Sequence, residues 1–294
     1  MYVITGASGN TGRVIAEKLL AAGKQVKVLG RSAEKLQPLV EKGAVAAVGD
    51  MSDQAYLNSA FAGATAAYVL IPPHLGASNF RAYQNDIGKK IAQALMQNSV
   101  KHVVNLSSLG AHLPKGTGPI AGLYDQEQRL NQLEANVLHL RPTYFMENLF
   151  TGINIIKNMG VNGSPANADV KIPMIASVDV ANYAAKRLLA LDFSGNSVQE
   201  LLGERDLNME EVTQILGKAI GKPDLAYVTF PYDQAREAML EMGISASVTD
   251  GYLEMYKAIN NRFGVAVMKR DKENTTPTSL EQFADVFARV YQNA

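Results

Sequence analysis

The chain has no cysteine and no tryptophan among its 294 residues. Without a thiol it can form no disulfide, use no thiolate nucleophile and ligate no iron–sulfur cluster. The lack suits a reducing compartment. Excess charge of either sign is missing too, since 28 Lys and Arg residues balance 28 Asp and Glu residues. No field of one sign invites nucleic acid or an anionic membrane surface. No apolar run reaches the roughly 18 residues that suggest a transmembrane helix. No basic, apolar leader stands ahead of Met1-Tyr2-Val3-Ile4, so the expected location is cytoplasmic. No His, Asp and Glu spacing suggests a metal site, and none is expected.

What is present is a regular alternation. Short apolar runs at 2–5, 25–29, 44–48, 66–70, 102–106 and 137–141 read as strands. Between them the apolar spacing predicts helices: one carrying Val14, Ile15, Leu19 and Leu20, then 32–42, 53–61, 79–98 and 124–134. The strands are continuously apolar, which points to a parallel sheet covered on both faces. The fold class is therefore α/β, a Rossmann-type doubly wound sheet. Residues 1–150 are expected to form it, with later pieces from about 170–192. The remainder, 151–294, is expected to be mainly a small, mostly helical substrate lobe closing over the sheet's carboxyl edge.

That second half is less regular. Residues 170–175 read as extended, 178–191 as a helix and 163–169 as a loop. Asn208 with Glu211, and Thr278 with Glu281, match capping boxes. A strand at 226–230 and helices at 234–242 and 249–261 complete the expectation. Tyr252, Tyr256 and Phe263 are assigned to the lobe's own core.

The segment Gly6-Ala7-Ser8-Gly9-Asn10-Thr11-Gly12 joins the first strand to the first helix. In that context Gly6 permits a tight turn, Gly9 lets backbone approach a pyrophosphate and Gly12 lets helix pack on strand. The helix N-terminus offers free N–H groups to phosphate. Ser8, Asn10 and Thr11 add side-chain donors. The second strand ends in Leu29-Gly30-Arg31-Ser32, without the carboxylate that would accept from a ribose 2′-hydroxyl. Arg31 and Ser32, with Lys35 one turn on, suit a 2′-phosphate instead, so the expected cofactor is NADP, NADPH being preferred over NADH. Asp50 ends the third strand and is either an adenine partner or a helix cap. Ile71 and Pro72 follow the fourth strand and Ser107 the fifth, both at the edge where ligands of such sheets sit.

With these residues in view, the chain resembles the NmrA-like family of atypical short-chain dehydrogenases. The resemblance rests on the glycine loop, Leu29-Gly30-Arg31-Ser32, Gly49-Asp50, Asn105-Leu106-Ser107-Ser108, Leu140-Arg141-Pro142-Thr143-Tyr144-Phe145-Met146-Glu147-Asn148 and Ser177-Val178-Asp179-Val180-Ala181. It implies an NADP-preferring Rossmann domain with a C-terminal substrate lobe. It places Arg31 on the 2′-phosphate, the glycine loop on the pyrophosphate and Ser107 near the nicotinamide. Members of this family either reduce quinones, dyes and related acceptors or bind the cofactor as sensors and co-regulators.

The reaction machinery departs from ordinary short-chain dehydrogenases, which place Tyr and Lys four residues apart on one helix face. Here Tyr124, the candidate catalytic residue, is followed by Gln128 where Lys would stand. Some relatives carry Lys or His four residues before a Glu, but counting back from Glu127 gives Leu123. Losing the base counts against alcohol oxidation. An electron-poor acceptor needs less from the protein, because its reduced product can take a proton from water. The expected function is hydride transfer from NADPH to a quinone-like or other conjugated acceptor. The alternatives are an NADP(H) sensor without turnover and, less favoured, a nucleotide-sugar epimerase. Tyr144, Phe145 and Asn148 are candidate substrate residues, with lobe packing as the other reading for Tyr144, Phe145 and Met146. His112, His74 and His139 lack any visible partner. The expected partner is a small-molecule acceptor, with neither nucleic acid nor membrane, and either a homodimer or a regulatory protein contact remains open.

Overall fold

The computed structural model describes residues 1–261 and 269–294, so the expectation for Phe263 lies outside the described residues. In the first half β1 (Tyr2–Ile4), α1 (Asn10–Ala21), β2 (Val26–Gly30), α2 (Ala33–Val40), β3 (Val45–Val48) and α3 (Gln54–Phe61) alternate. The alternation continues through β4 (Ala66–Val69), α4 (Phe80–Gln97), β5 (His102–Leu106), α5 (Pro119–Leu130) and β6 (Asn136–Pro142). Then come β7 (Tyr144–Phe145), a 3₁₀ segment (Met146–Gly152), α6 (Ile153–Met159), β8 (Val161–Ser164), β9 (Ile172–Ile175) and α7 (Ser177–Ala190). The chain finishes with β10 (Asn196–Leu201), β11 (Asp206–Leu207), α8 (Met209–Ala219), β12 (Ala226–Thr229), α9 (Tyr232–Glu241), α10 (Ala246–Asn260) and α11 (Leu280–Asn293).

Seven parallel strands form one sheet in the order β10-β6-β5-β4-β1-β2-β3. The chain runs outward from β1 to β3, then returns to β4 on β1's other side. That reversal opens a crevice at the carboxyl ends of β1 and β4. Neighbouring residues of one strand bury into opposite faces. Ile4, Val104 and Leu138 join α1, α2 and α7, while Val3, Val103 and Val137 join α3 and α4. Two covered faces favour apolar residues along the inner strands, which explains their unbroken runs, while the edge strand β3 is exposed.

The lobe has its own core. Met146, Leu149 and Ile153 pack there with Val212, Leu216, Phe283 and Phe287 from α8 and α11. Two small sheets stiffen it, β11-β9-β7 and the β12-β8 pair.

Several local expectations need correction. The fifth helix starts at Pro119 rather than Tyr124 and ends at Leu130. Proline suits a first helical turn, whose N–H groups have no intrahelical partner. The stretch 163–169 is not all loop, because Val161–Ser164 pairs in parallel with β12. The last helix is capped one residue later than expected. Ser279 and Gln282 form the box, and Thr278 instead donates its N–H and its hydroxyl to Asp179. The box at Asn208 and Glu211 is present as expected.

Candidate functional site

The β1–α1 loop is built so that only glycine fits its key positions. Gly6 has φ +61°, in the left-handed region. A Cβ on Gly12 would lie 2.4 Å from the Gly6 carbonyl oxygen, so the helix start could not approach the turn. Gly9 is the N-cap of α1 and lends it no side-chain hydrogen bond, whereas Ser32, Asp53 and Asn79 cap α2, α3 and α4. The first-turn N–H groups of α1 are thus left for another acceptor. Ser8, Gly9 and Asn10 are exposed around them. Thr11 turns inward, where its Oγ1 accepts from the Tyr68 hydroxyl at 2.9 Å. Thr5 Oγ1 accepts from the Leu70 N–H at 3.0 Å and ties β1 to β4 at the crevice. An exposed, uncapped helix start behind a close-packed glycine turn fits a dinucleotide pyrophosphate.

Arg31 follows β2 directly and is exposed. Ser32 is half-buried, and its hydroxyl accepts from the Lys35 N–H at 3.3 Å, which leaves its proton to donate. Asp50 does not cap the following helix. Asp53 does that, and Asp50 accepts from the Ser52 N–H at 2.8 Å. That bond and the Ser52 hydroxyl hold the Asp50 carboxyl below its ordinary value, and nearby Arg31 and His74 lower it further against the effect of burial. Arg31, Ser32 and Asp50 therefore stand together at the ends of β2 and β3.

On the other side of the crevice lies a cleft of about 390 Å³. The sheet edge gives it Leu70, Ile71, Pro72, Ser107 and Thr143; the lobe gives Tyr144, Asn148, Ile172, Tyr252 and Met255. Tyr144, Phe145 and Asn148 all line it, as the sequence predicts for a pocket. Burial pushes the Tyr144 hydroxyl well above its ordinary pKa, and neighbouring Tyr256 and Tyr227 add to the rise. Tyr144 is therefore a neutral phenol. Met146 is buried in the lobe core instead. Tyr256 also packs on that core, but Tyr252 faces the cleft, contrary to expectation. Thr143 lines the cleft, and its buried Oγ1 has no hydrogen-bond partner among the described residues. A polar atom of a bound molecule would satisfy it.

Helix α5 presents Ile120 and Leu123 to the cleft, while half-buried Tyr124 is not among the lining residues. Gln128 is exposed. Below the cleft, Ser107 donates its proton to Glu127 Oε1 at 2.5 Å. Glu127 also receives Arg141 through Nε at 2.9 Å and Nη2 at 2.5 Å. A carboxylate paired this way only accepts, so the Ser107 proton is committed to it and lone pairs remain for a ligand.

His112, His74 and His139 are not among the residues that line this cleft. His112 is an exposed loop residue, and His74 accepts from the Gly76 N–H at 3.2 Å on the surface. His139 is buried between Asn105 and Asn131, and burial pushes it down to about 4. Among the described residues no group of His, Asp and Glu could hold a metal ion, and no helix is long and apolar enough to cross a membrane.

The motif Phe145-Met146-Glu147-Asn148 acquires a structural reason here. Glu147 accepts from the Ser177 N–H at 3.0 Å and from its hydroxyl, joining the 3₁₀ segment to the start of α7.

The chain matches the NmrA-like family over residues 2–284. It belongs to that family. An NAD(P)H azoreductase of Xenophilus azovorans is 26% identical over 256 residues, covering 87% of this chain and 86% of the relative. Among solved structures, an NADPH-dependent quinone oxidoreductase from Escherichia coli, complexed with NADPH, superposes with TM-score 0.82 at 22% identity. It covers 97% of this chain and 99% of its own. A Citrobacter sp. triphenylmethane reductase complexed with NADP(H) gives TM-score 0.81 at 20% identity, over 98% of this chain and 100% of its own. These two likenesses establish the whole two-part fold of this NmrA-like chain.

The lining from Phe80, Gln84, Lys171 and Ile259 has no motif in the sequence. Only the extended run at 170–175 hinted at part of it.

Proposed function

We propose that this NmrA-like protein is an NAD(P)H-dependent oxidoreductase that prefers NADPH and reduces a conjugated, electron-poor acceptor such as a quinone or azo compound. One observation carries the reading: an apolar cleft beside the uncapped glycine loop, with Leu123 where a base would stand. The azoreductase relative and the quinone and dye reductase folds support it.

The loop 6–12 would hold the pyrophosphate on the α1 N-terminus. Arg31 and Ser32 would hold the 2′-phosphate, with Asp50 beside the adenosine and Ile71, Pro72 and Ser107 along the nicotinamide half. Bound there, NADPH supplies the hydride. Ser107, with its proton on Glu127, accepts a hydrogen bond and donates none. Tyr144, Phe145 and Asn148 position the acceptor, and the Thr143 hydroxyl donates to a polar atom of the bound ligands. Tyr124 contributes no proton in this scheme, so water protonates the reduced product.

NADPH oxidation followed by absorbance, across quinones and azo dyes, tests the proposal. Turnover above background with at least one class is expected, and none with any of them would overturn it. The missing base also favours a second reading, an NADP(H) sensor. That reading requires no turnover together with unequal affinities for NADP⁺ and NADPH.

A further inference from the structure

Among the described residues that line the cleft, Lys171 alone carries a charge. It stands one residue before β9, on the wall facing the sheet edge, and is exposed. No carboxylate lines the cleft, and Lys171 has no ion pair among the described residues. Asp169, two residues earlier, is exposed and makes no ion pair with it. The surrounding wall is apolar, built from Val170, Ile172, Pro173, Met255 and Ile259. Lys171 is exposed, so water screens it in part, but the apolar wall beside it screens its charge less than open water on every side would.

We infer that the acceptor carries an acidic group, a carboxylate, sulfonate or phosphate, which pairs with Lys171 while its conjugated part lies along the apolar wall. This rests on the reading of the cleft as the acceptor site. The same lysine acts against cationic acceptors, because a second positive charge would enter a cleft with no anion to receive it. Selectivity then comes as much from repulsion as from attraction. An ammonium also suits this task better than a hydrogen-bonding amide, since it forms pairs with anions of different shapes as a compact point charge.

The test uses three acceptors with one ring system: neutral, sulfonated and trimethylammonium-substituted. Binding is measured on the NADP⁺-loaded protein by calorimetry, so the result does not depend on turnover. The sulfonated compound should bind tightest and the cationic one weakest. Lys171→Met should weaken the sulfonated compound about two- to fivefold relative to the neutral one. Lys171→Glu should reverse the order of the two charged compounds. Affinity for NADP⁺ should be the same in all three proteins. Equal affinities in the unaltered protein, absence of binding by all three, or a preference surviving Lys171→Met would overturn the inference. So would a loss of NADP⁺ affinity in Lys171→Met with unchanged acceptor order, which would assign the lysine to the cofactor. Failure of turnover with intact charge selection would instead count against the reductase reading alone.

Discussion

Arg31 is exposed one residue past β2, where a carboxylate would select NADH. Its guanidinium can form a forked, charge-assisted pair with a 2′-phosphate, which NADH lacks. Arg31→Ala should lower NADPH affinity roughly 10- to 100-fold, as expected for a lost charged hydrogen bond, and leave NADH affinity nearly unchanged. Parallel titrations with both nucleotides check this, and equal losses would remove Arg31 from the phosphate site. Glu127 is a different kind of residue, fully enclosed and bonded to both Ser107 and Arg141. Replacing it by Ala leaves the half-buried Arg141 charge without its partner, so unfolding should become easier by about 2–4 kcal/mol in urea titrations. The position of Arg31 directly after β2 was legible in the sequence, because an apolar run ends there. The pairing of Glu127 was not, because its two partners, Ser107 after β5 and Arg141 on β6, lie on other elements of the sheet.

At the scale of elements, most strands and helices of the first half follow from periodicity, since the inner strands are covered on two faces and the helices on one. The strand β10 escaped because Asn196-Ser197-Val198-Gln199-Glu200-Leu201 is an edge strand with a mixed pattern. The start of α5 escaped because Gly116-Thr117-Gly118-Pro119 reads as loop. The cap of α11 was misplaced because Thr278 and Ser279 both satisfy the capping pattern, and Asp179, distant in sequence, claims Thr278. His139 shows what such long-range contacts do. It sits on β6, takes Asn105 of β5 on one ring nitrogen and Asn131 beyond α5 on the other. Its folded pKa is about 4 against an ordinary 6.5. Above pH 6.5 it is neutral whether folded or unfolded, so nothing is lost. As pH falls from about 6.5 to about 4, only the unfolded chain takes up the proton, and stability declines by about 3 kcal/mol. Urea midpoints across that range should fall with acid, and His139→Gln should show a shallower fall.

At the scale of the whole molecule, the cleft exists only because two cores meet. The sheet edge supplies Leu70, Ser107 and Thr143; the lobe supplies Ile172, Tyr252 and Met255. Polar ties help fix their relation, among them two at α7. Glu147 grips the start of α7, and Asp179 on α7 receives Thr278 through its N–H at 3.0 Å and its hydroxyl at 2.8 Å. Helix α7 itself packs against α1, the helix that carries the glycine loop. Asp179 therefore holds the entrance of α11, a lobe helix, onto the cofactor half. Asp179 is buried. Asp179→Ala leaves the Thr278 N–H without its acceptor, at a cost of about 1–3 kcal/mol. For a chain of this size that corresponds to a fall in Tm of roughly 2–5 °C. In the proposed function the acceptor lies on the lobe side of the cleft, while the loop 6–12 and Arg31 belong to the sheet. KM for the acceptor should therefore rise in this variant while KM for NADPH stays near its original value. Differential scanning calorimetry and steady-state kinetics on the same preparation check both halves. An equal rise in the two KM values would mean that the lobe shapes the nucleotide site as well, and that the two cores act as one unit.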